Sequence, residues 1–150
     1  MRHSECSAGR VFVIRLESGE ILHNAVESFA ASNGITAATV IAVGGADKGS
    51  RFVVGPQMPL SSPIVPTVHE LDAPHEFTGT GTIFRNSNGT PIMHMHCSCG
   101  RGGSSVTGCA RAGVKVWLVM EIVITELVGC KAKRLMDEAS GFELLVPDAE

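Results

Sequence analysis

The sequence has no tyrosine and a single tryptophan in 150 residues, so it offers no row of aromatic platforms on which single-stranded bases could stack. Charge is scarce too. Charged residues make up 18% of the chain and sum to a net charge of -3, which gives no general attraction for nucleic-acid phosphates. No run of about 18 apolar residues occurs, so no membrane span is expected. The opening "MRHSECSAGR" has no hydrophobic segment of the kind a secretion signal carries. Together with an odd cysteine count of five, this points to a reducing, cytoplasmic setting and away from a disulfide scaffold. Familiar catalytic signatures are missing as well. "GGSSVTG" is not a G-x-S-x-G elbow, "VGGADKGS" lacks the Lys-Ser/Thr end of a phosphate loop, and no helix opens after "GTGT".

What is present is a globular composition, 44% hydrophobic, in a chain long enough for one domain with a proper core. "VFVIRL", residues 11–16, is β-branched and reads as a strand. From Ile21 to Ser32 the period changes, and Leu22, Ala25, Val26, Phe29 and Ala30 share one helical face, with Asn33-Gly34 as a stop. "ITAATVIAVGG" reads as a buried strand, "SRFVVG" as another, and the proline-rich 56–68 as a surface loop or extended edge. "HEFTGTGTIF" is a strand closed by the turn residues "NSNG". "VKVWLVMEIVITEL" is apolar on both faces and predicts a central strand covered on each side, while "FELLV" is expected to close the sheet. About seven strands accompany one clear helix. The expected organisation is a tail over 1–8, one domain over 9–146 and a tail over 147–150.

Two of six histidines and three of five cysteines crowd into "PIMHMHCSCGRGGSSVTGC", residues 91–109. On a strand, His94 and His96 point the same way with Cα atoms roughly 6.6–6.8 Å apart, and Met95, Cys97 and Cys99 face the opposite side. Turn length decides the rest. A four-residue turn over Gly100–Gly103 sets His94 opposite Cys109, and a two-residue turn at Gly102-Gly103 sets His96 there. Either register brings Cys109 onto the histidine face, with opposed Cβ atoms about 4.5–5.5 Å apart. A turn of odd length pairs Met95 with Cys109 and ruins the site. Two imidazoles and a thiolate suit Zn²⁺ or a similar divalent cation with a fourth position open. The alternative is a polar pocket or subunit contact without metal.

The segments "GRVFVIRLESGE", "GITAATVIAVGGA", "HEFTGTGTIF", "GTPIMHMHCSCGRGG" and "TGCARAGVKVWLVMEIVITEL" resemble, in order and spacing, the plants and prokaryotes conserved domain. The resemblance covers residues 9–146. It implies an α/β (α+β) fold, a mainly antiparallel and strongly bent sheet with helix cover, assembled as a homotrimer. In many prokaryotic members an H-x-H strand and a later G-G-H segment resemble a metal site. Here His94 and His96 take the first two positions, and Cys109 stands where histidine is commoner. Plant members bind DNA through a separate R-G-R-P hook, which "CGRGGSS" does not supply, so direct DNA binding is not expected and a protein partner is the alternative. The basic cluster "KAKR", 131–134, reads as a solvated strand end.

Other residues earn a place around the site. Glu121, in an apolar run, is a candidate for orienting a ligand histidine or bonding a neighbouring subunit. Arg111 should share the ligand face and could bind an anionic group beside the ion, or make a salt bridge to a neighbouring subunit. His75 is a candidate fourth ligand, and Gly45, with Gly44, could let a backbone approach a pocket or simply bend the strand. Cys6, Cys97 and Cys130 read as ordinary thiols. Because the family is often labelled DNA-binding, the resemblance implies a transcription-related member. Binding or regulation through a partner in such an assembly is the expected role, with a metal-dependent enzyme on a small molecule as the rival.

Overall fold

The computed structural model describes residues 1–58 and 64–149, and it is mostly strand. β1 (Ser7–Glu17) leads into the helix α1 (Leu22–Ser32), followed by β2 (Ala37–Ala46), β3 (Arg51–Pro56), β4 (Pro66–Glu70), β5 (His75–Arg85), β6 (Pro91–Arg101) and β7 (Ser104–Cys109). A 3-10 turn, Ala110–Ala112, precedes β8 (Val116–Val128), β9 (Lys133–Asp137) and β10 (Phe142–Val146). Eight strands form one sheet in the order β1-β8-β2-β5-β6-β7-β3-β4. Every pairing in it is antiparallel. The α/β label therefore gives way to a strand-dominated α+β architecture with one helix.

The helix forms where the period of the apolar residues is 3.6. Leu22, Val26 and Ala30 are buried along one stripe, and Phe12 of β1 meets Phe29 edge-to-face with ring centroids 5.2 Å apart. Its end is fixed locally: Asn33 Nδ2 donates to the Phe29 carbonyl at 2.9 Å, and the Ile35 N–H returns to Ala30 at 2.9 Å.

Strand alternation sorts the sheet into two faces. One row of register partners, Phe12, Ile124, Val40, Gly81 and Met95, faces the helix and the core. The adjacent row, Val13, Val123, Ile41, Thr80, His96, Cys109 and Val53, lies on the other side of the pleat. That outer face overturns one expectation. β2 and β8 are not covered on both sides within this chain, since Ile41 and Val43 are 55% and 51% exposed and Leu118 is 65% exposed. An apolar outer face looks like a core face in sequence, because composition records apolarity and not what covers it.

Two further expectations change. "FELLV" does not close the main sheet: β10 pairs with β9 in a separate two-stranded sheet, linked to the end of β5 by an Asn86–Arg134 bridge. Among the described residues, the count of about seven strands becomes eight plus two. In the proline-rich segment, residues 59–63 lie outside the described residues, and Pro66–Glu70 forms the edge strand β4, where prolines are tolerated. β1 already begins at Ser7, inside the stretch read as a tail. Among the described residues, no helix is long and apolar enough to cross a membrane.

Candidate metal centre

Hairpin parity is settled by two glycines. Arg101 pairs with Ser104, leaving Gly102 (φ 57°) and Gly103 (φ 85°) as a two-residue turn with positive φ at both positions. A type I′ turn needs that conformation, which glycine adopts without a Cβ penalty. The register then runs from Cys99 opposite Val106 to His96 opposite Cys109, the two-residue alternative of the sequence reading. Met95, Cys97 and Cys99 point into the core.

The outcome is a cluster of three donors. The ligand atoms of His94, His96 and Cys109 all lie within 4.8 Å of one another. The two imidazoles stand edge-to-face, with centroids 5.0 Å apart and planes at 81°. Tetrahedral zinc bonds of about 2.0–2.3 Å place donor atoms roughly 3.3–3.8 Å apart, so small side-chain rotations bring this set into range. Burial pushes the His94 imidazole below its ordinary value, and the positive charges of Arg111 and Arg134 push the same way. Burial also lowers His96, followed by the effects of His94 and Arg111. Neutral imidazole is the ligating form, so the donor set fits a divalent ion of the zinc class.

The triad lines a cavity of about 530 Å³. Val53, Pro56 and Pro66 of the β3–β4 hairpin form one wall, and Leu144 and Leu145 of β10 form another. Arg111, Arg134 and Glu143 supply its charge. A second hollow of about 350 Å³ shares His94, both arginines, Phe142 and Glu143 and extends toward His23 and Glu27. The β9–β10 hairpin is thus a roof over the hairpin that carries the donors.

Arg111 reaches the site, but not by continuing β7: the chain turns into the Ala110–Ala112 3-10 segment, which still leaves the side chain on the cavity wall. Glu121 does not. It is exposed on the outer face of β8, opposite Arg15, because the alternation that buries Met120 and Ile122 turns it outward. His75 is not brought to the cluster either; its Nδ1 lies 2.8 Å from the Ala73 carbonyl at the start of β5. Gly45 serves the sheet. A bulge breaks the β2–β8 register beside it, and a Cβ there would lie 2.5 Å from the Trp117 carbonyl oxygen. Cys97 is held as a thiol: its bond with Cys99 and its burial raise it, and its Sγ donates to the Gly108 carbonyl at 3.4 Å. Cys6 is exposed and Cys130 half-buried, outside the donor set.

The residues that sequence reasoning missed are Arg134 and Glu143. Arg134 is not a solvated strand end but 5% exposed, with Ala132 buried beside it on the same face of the chain. The alternation of "KAKR" carried that signal: Ala132 and Arg134 share a side, and an alanine among lysines marks the inward one.

Comparison with known proteins bears on the fold and the family. A metal-containing protein of Archaeoglobus fulgidus superposes with a TM-score of 0.85 at 25% identity, covering 97% of this chain and 99% of that one. A plant- and prokaryote-conserved protein of Pyrococcus horikoshii gives 0.83 at 25% identity, with 97% of each chain covered. A Bacteroides thetaiotaomicron protein, described as a candidate DNA-binding protein, gives 0.77 at 16% identity over 95% of this chain and 98% of that one, which speaks for the fold alone. No curated protein matches at a significant level. The Plants and Prokaryotes Conserved (PCC) domain model matches residues 3–128, most of the chain, and the protein belongs to that family.

Proposed function

We propose that this PCC-domain chain works as a cytoplasmic homotrimer in which each subunit holds a divalent ion, of the zinc class, on His94, His96 and Cys109. It acts by binding or regulation through a protein partner. The convergence of two imidazoles and a thiol from one hairpin carries the reading. Support comes from the similar A. fulgidus protein, described as metal-containing. The uncovered apolar outer face supports self-assembly, and five free thiols are in keeping with a reducing compartment. His94, His96 and Cys109 would hold the ion. Bound there, it would supply a Lewis-acidic position facing the cavity.

Metal analysis of the purified protein tests this. About one zinc-class ion per subunit is expected, falling at least tenfold in His94→Ala or Cys109→Ala, as loss of one of three donors predicts. Unchanged metal content in either variant rejects the ligand set. A second reading, a metal-dependent enzyme on a small molecule, is favoured by the cavity over the open coordination side. Turnover of a small substrate that disappears with the metal would select it. Direct duplex binding stays outside the proposal, since the net charge is -3 and no R-G-R-P hook is present; binding that survives physiological salt would reverse this.

A further inference from the structure

Two guanidinium groups share the cavity with the triad, and neither makes an ion pair among the described residues. Arg134 is the more demanding of the two. It is 5% exposed, its Nη2 donates to Thr82 Oγ1 at 3.1 Å, and its buried Nε has no hydrogen-bond partner. The Phe84 ring lies under it, 5.8 Å from Cζ to centroid. Burying a guanidinium without an anionic partner costs several kcal/mol in general. The Phe84 ring, Glu143 and Cys109 offset that cost in part, but Arg111 repels Arg134 and Glu143 stands outside ion-pair distance. A divalent ion on one thiolate and two neutral imidazoles would add positive charge to the same space. The site is short of an anion.

The walls restrict what that anion is. Val53, Pro56, Pro66, Leu144 and Leu145 give the same cavity an apolar lining beside its charged groups. A volume of about 530 Å³ is within the range of small-molecule sites. Forked guanidinium donors match the two oxygens of a carboxylate, and an apolar wall matches a hydrocarbon body. Inorganic phosphate would satisfy the arginines but leave that wall bare.

We infer that the cavity is a binding site for a small organic acid, whose carboxylate sits between Arg111 and Arg134 at the edge of the metal triad and whose apolar body lies along Val53, Pro66 and Leu144. The inference rests on the metal reading for the carboxylate's neighbour, while the arginine pair stands with or without the ion. Arg134 and Leu144 of this site lie beyond residue 128, where the family match ends, while Arg111, Val53 and Pro66 lie within it.

The experiment follows the arginine Nε–Hε signals by ¹H–¹⁵N NMR in the full chain, metal-free and Co²⁺-loaded, during titration with hexanoate, hexanol and inorganic phosphate. Hexanoate is expected to shift the Arg134 signal saturably in both forms. Hexanol should leave it unmoved, and phosphate should bind more weakly. Arg111→Gln, at an exposed position, should weaken hexanoate about tenfold or more, the size expected for a lost charged hydrogen bond. Arg134→Lys, which keeps the charge and loses the fork, should weaken it as well. An unmoved Arg134 signal, equal binding of phosphate, or undiminished hexanoate affinity in Arg111→Gln overturns the inference. Absence of Co²⁺ binding with hexanoate shifts retained would sink the metal reading alone; Co²⁺ binding without hexanoate shifts would sink the acid site alone.

Discussion

Ser50 has no exposed surface, and its hydroxyl serves both backbone groups of Lys115: Oγ accepts the Lys115 N–H at 3.0 Å and donates to its carbonyl at 3.3 Å. The Ser50 carbonyl meanwhile takes the Leu71 N–H at 2.9 Å, so one residue ties the entry of β3 to the segments before β8 and β5. Ser50→Ala strips a partner from two backbone groups and should cost about 1–3 kcal/mol, read as a lower urea midpoint at unchanged slope. Beside it, Asp47 Oδ2 lies 2.8 Å from Lys115 Nζ, and the Lys48 N–H donates to Oδ1 at 2.8 Å. The Lys115 bond chiefly holds the Asp47 carboxyl below its ordinary value. A carboxyl depressed in the folded state stabilises above its unfolded pKa and loses that contribution as pH falls through its folded one. Asp47→Asn should therefore melt below wild type at neutral pH and alongside it in strong acid. A gap that persists in acid would remove the ion pair as its cause. Residue by residue, the sequence is most misleading where charge meets apolar neighbours. Glu121 reads as buried because Val119, Met120, Ile122 and Val123 surround it, yet half of such a run faces outward on a strand. Arg134 reads as solvated because lysines surround it, yet alternation carries it in with Ala132.

The β6–β7 hairpin is the element on which the site depends. That His94 and His96 share a face followed from strand alternation alone, and the membership of Cys109 followed from even parity. Choosing between the two even registers needed the turn, and Gly102-Gly103 was the shorter fit. Deleting Gly103 tests the element. With a two-residue turn re-formed at Gly102-Ser104, Cys109 moves opposite Cys97; with the turn at Arg101-Gly102, it moves opposite Met95. Both partners face the core, so either outcome turns the thiol away from the imidazoles. The deletion should abolish metal binding, whereas Arg101→Ala, beside the same turn with the glycines intact, should retain it. Metal retained by the deletion would mean that the hairpin does not position the thiol. The β9–β10 hairpin was less legible. Its strands are five residues each, too short for period to speak, and the residues that matter in it face a cavity and not a core.

At the scale of the molecule, the face that carries the triad also carries the exposed apolar residues. Val13, Val123 and Ile41 are neighbours across β1, β8 and β2, at 81%, 37% and 55% exposure, and the same register row runs on through Thr80 to His96 and Cys109. Leu118 adds to the patch from a bulge, at φ 62°, a conformation costly for a non-glycine residue. Monomers rarely leave contiguous apolar surface of this kind bare, and in the proposed homotrimer the other two copies would cover it. Ile41→Glu puts a charge within the row without touching the core, because Ile41 points away from the helix. The folded chain should survive with unchanged far-ultraviolet circular dichroism, while the mass in solution by light scattering falls from about three chains to one. An unchanged mass would place the subunit contact elsewhere. Metal content of that variant then separates two roles of the face. All three donors come from one hairpin of one chain, so the monomer should still load its ion; loss of the ion with the trimer would mean that the donor geometry is held by a neighbouring subunit.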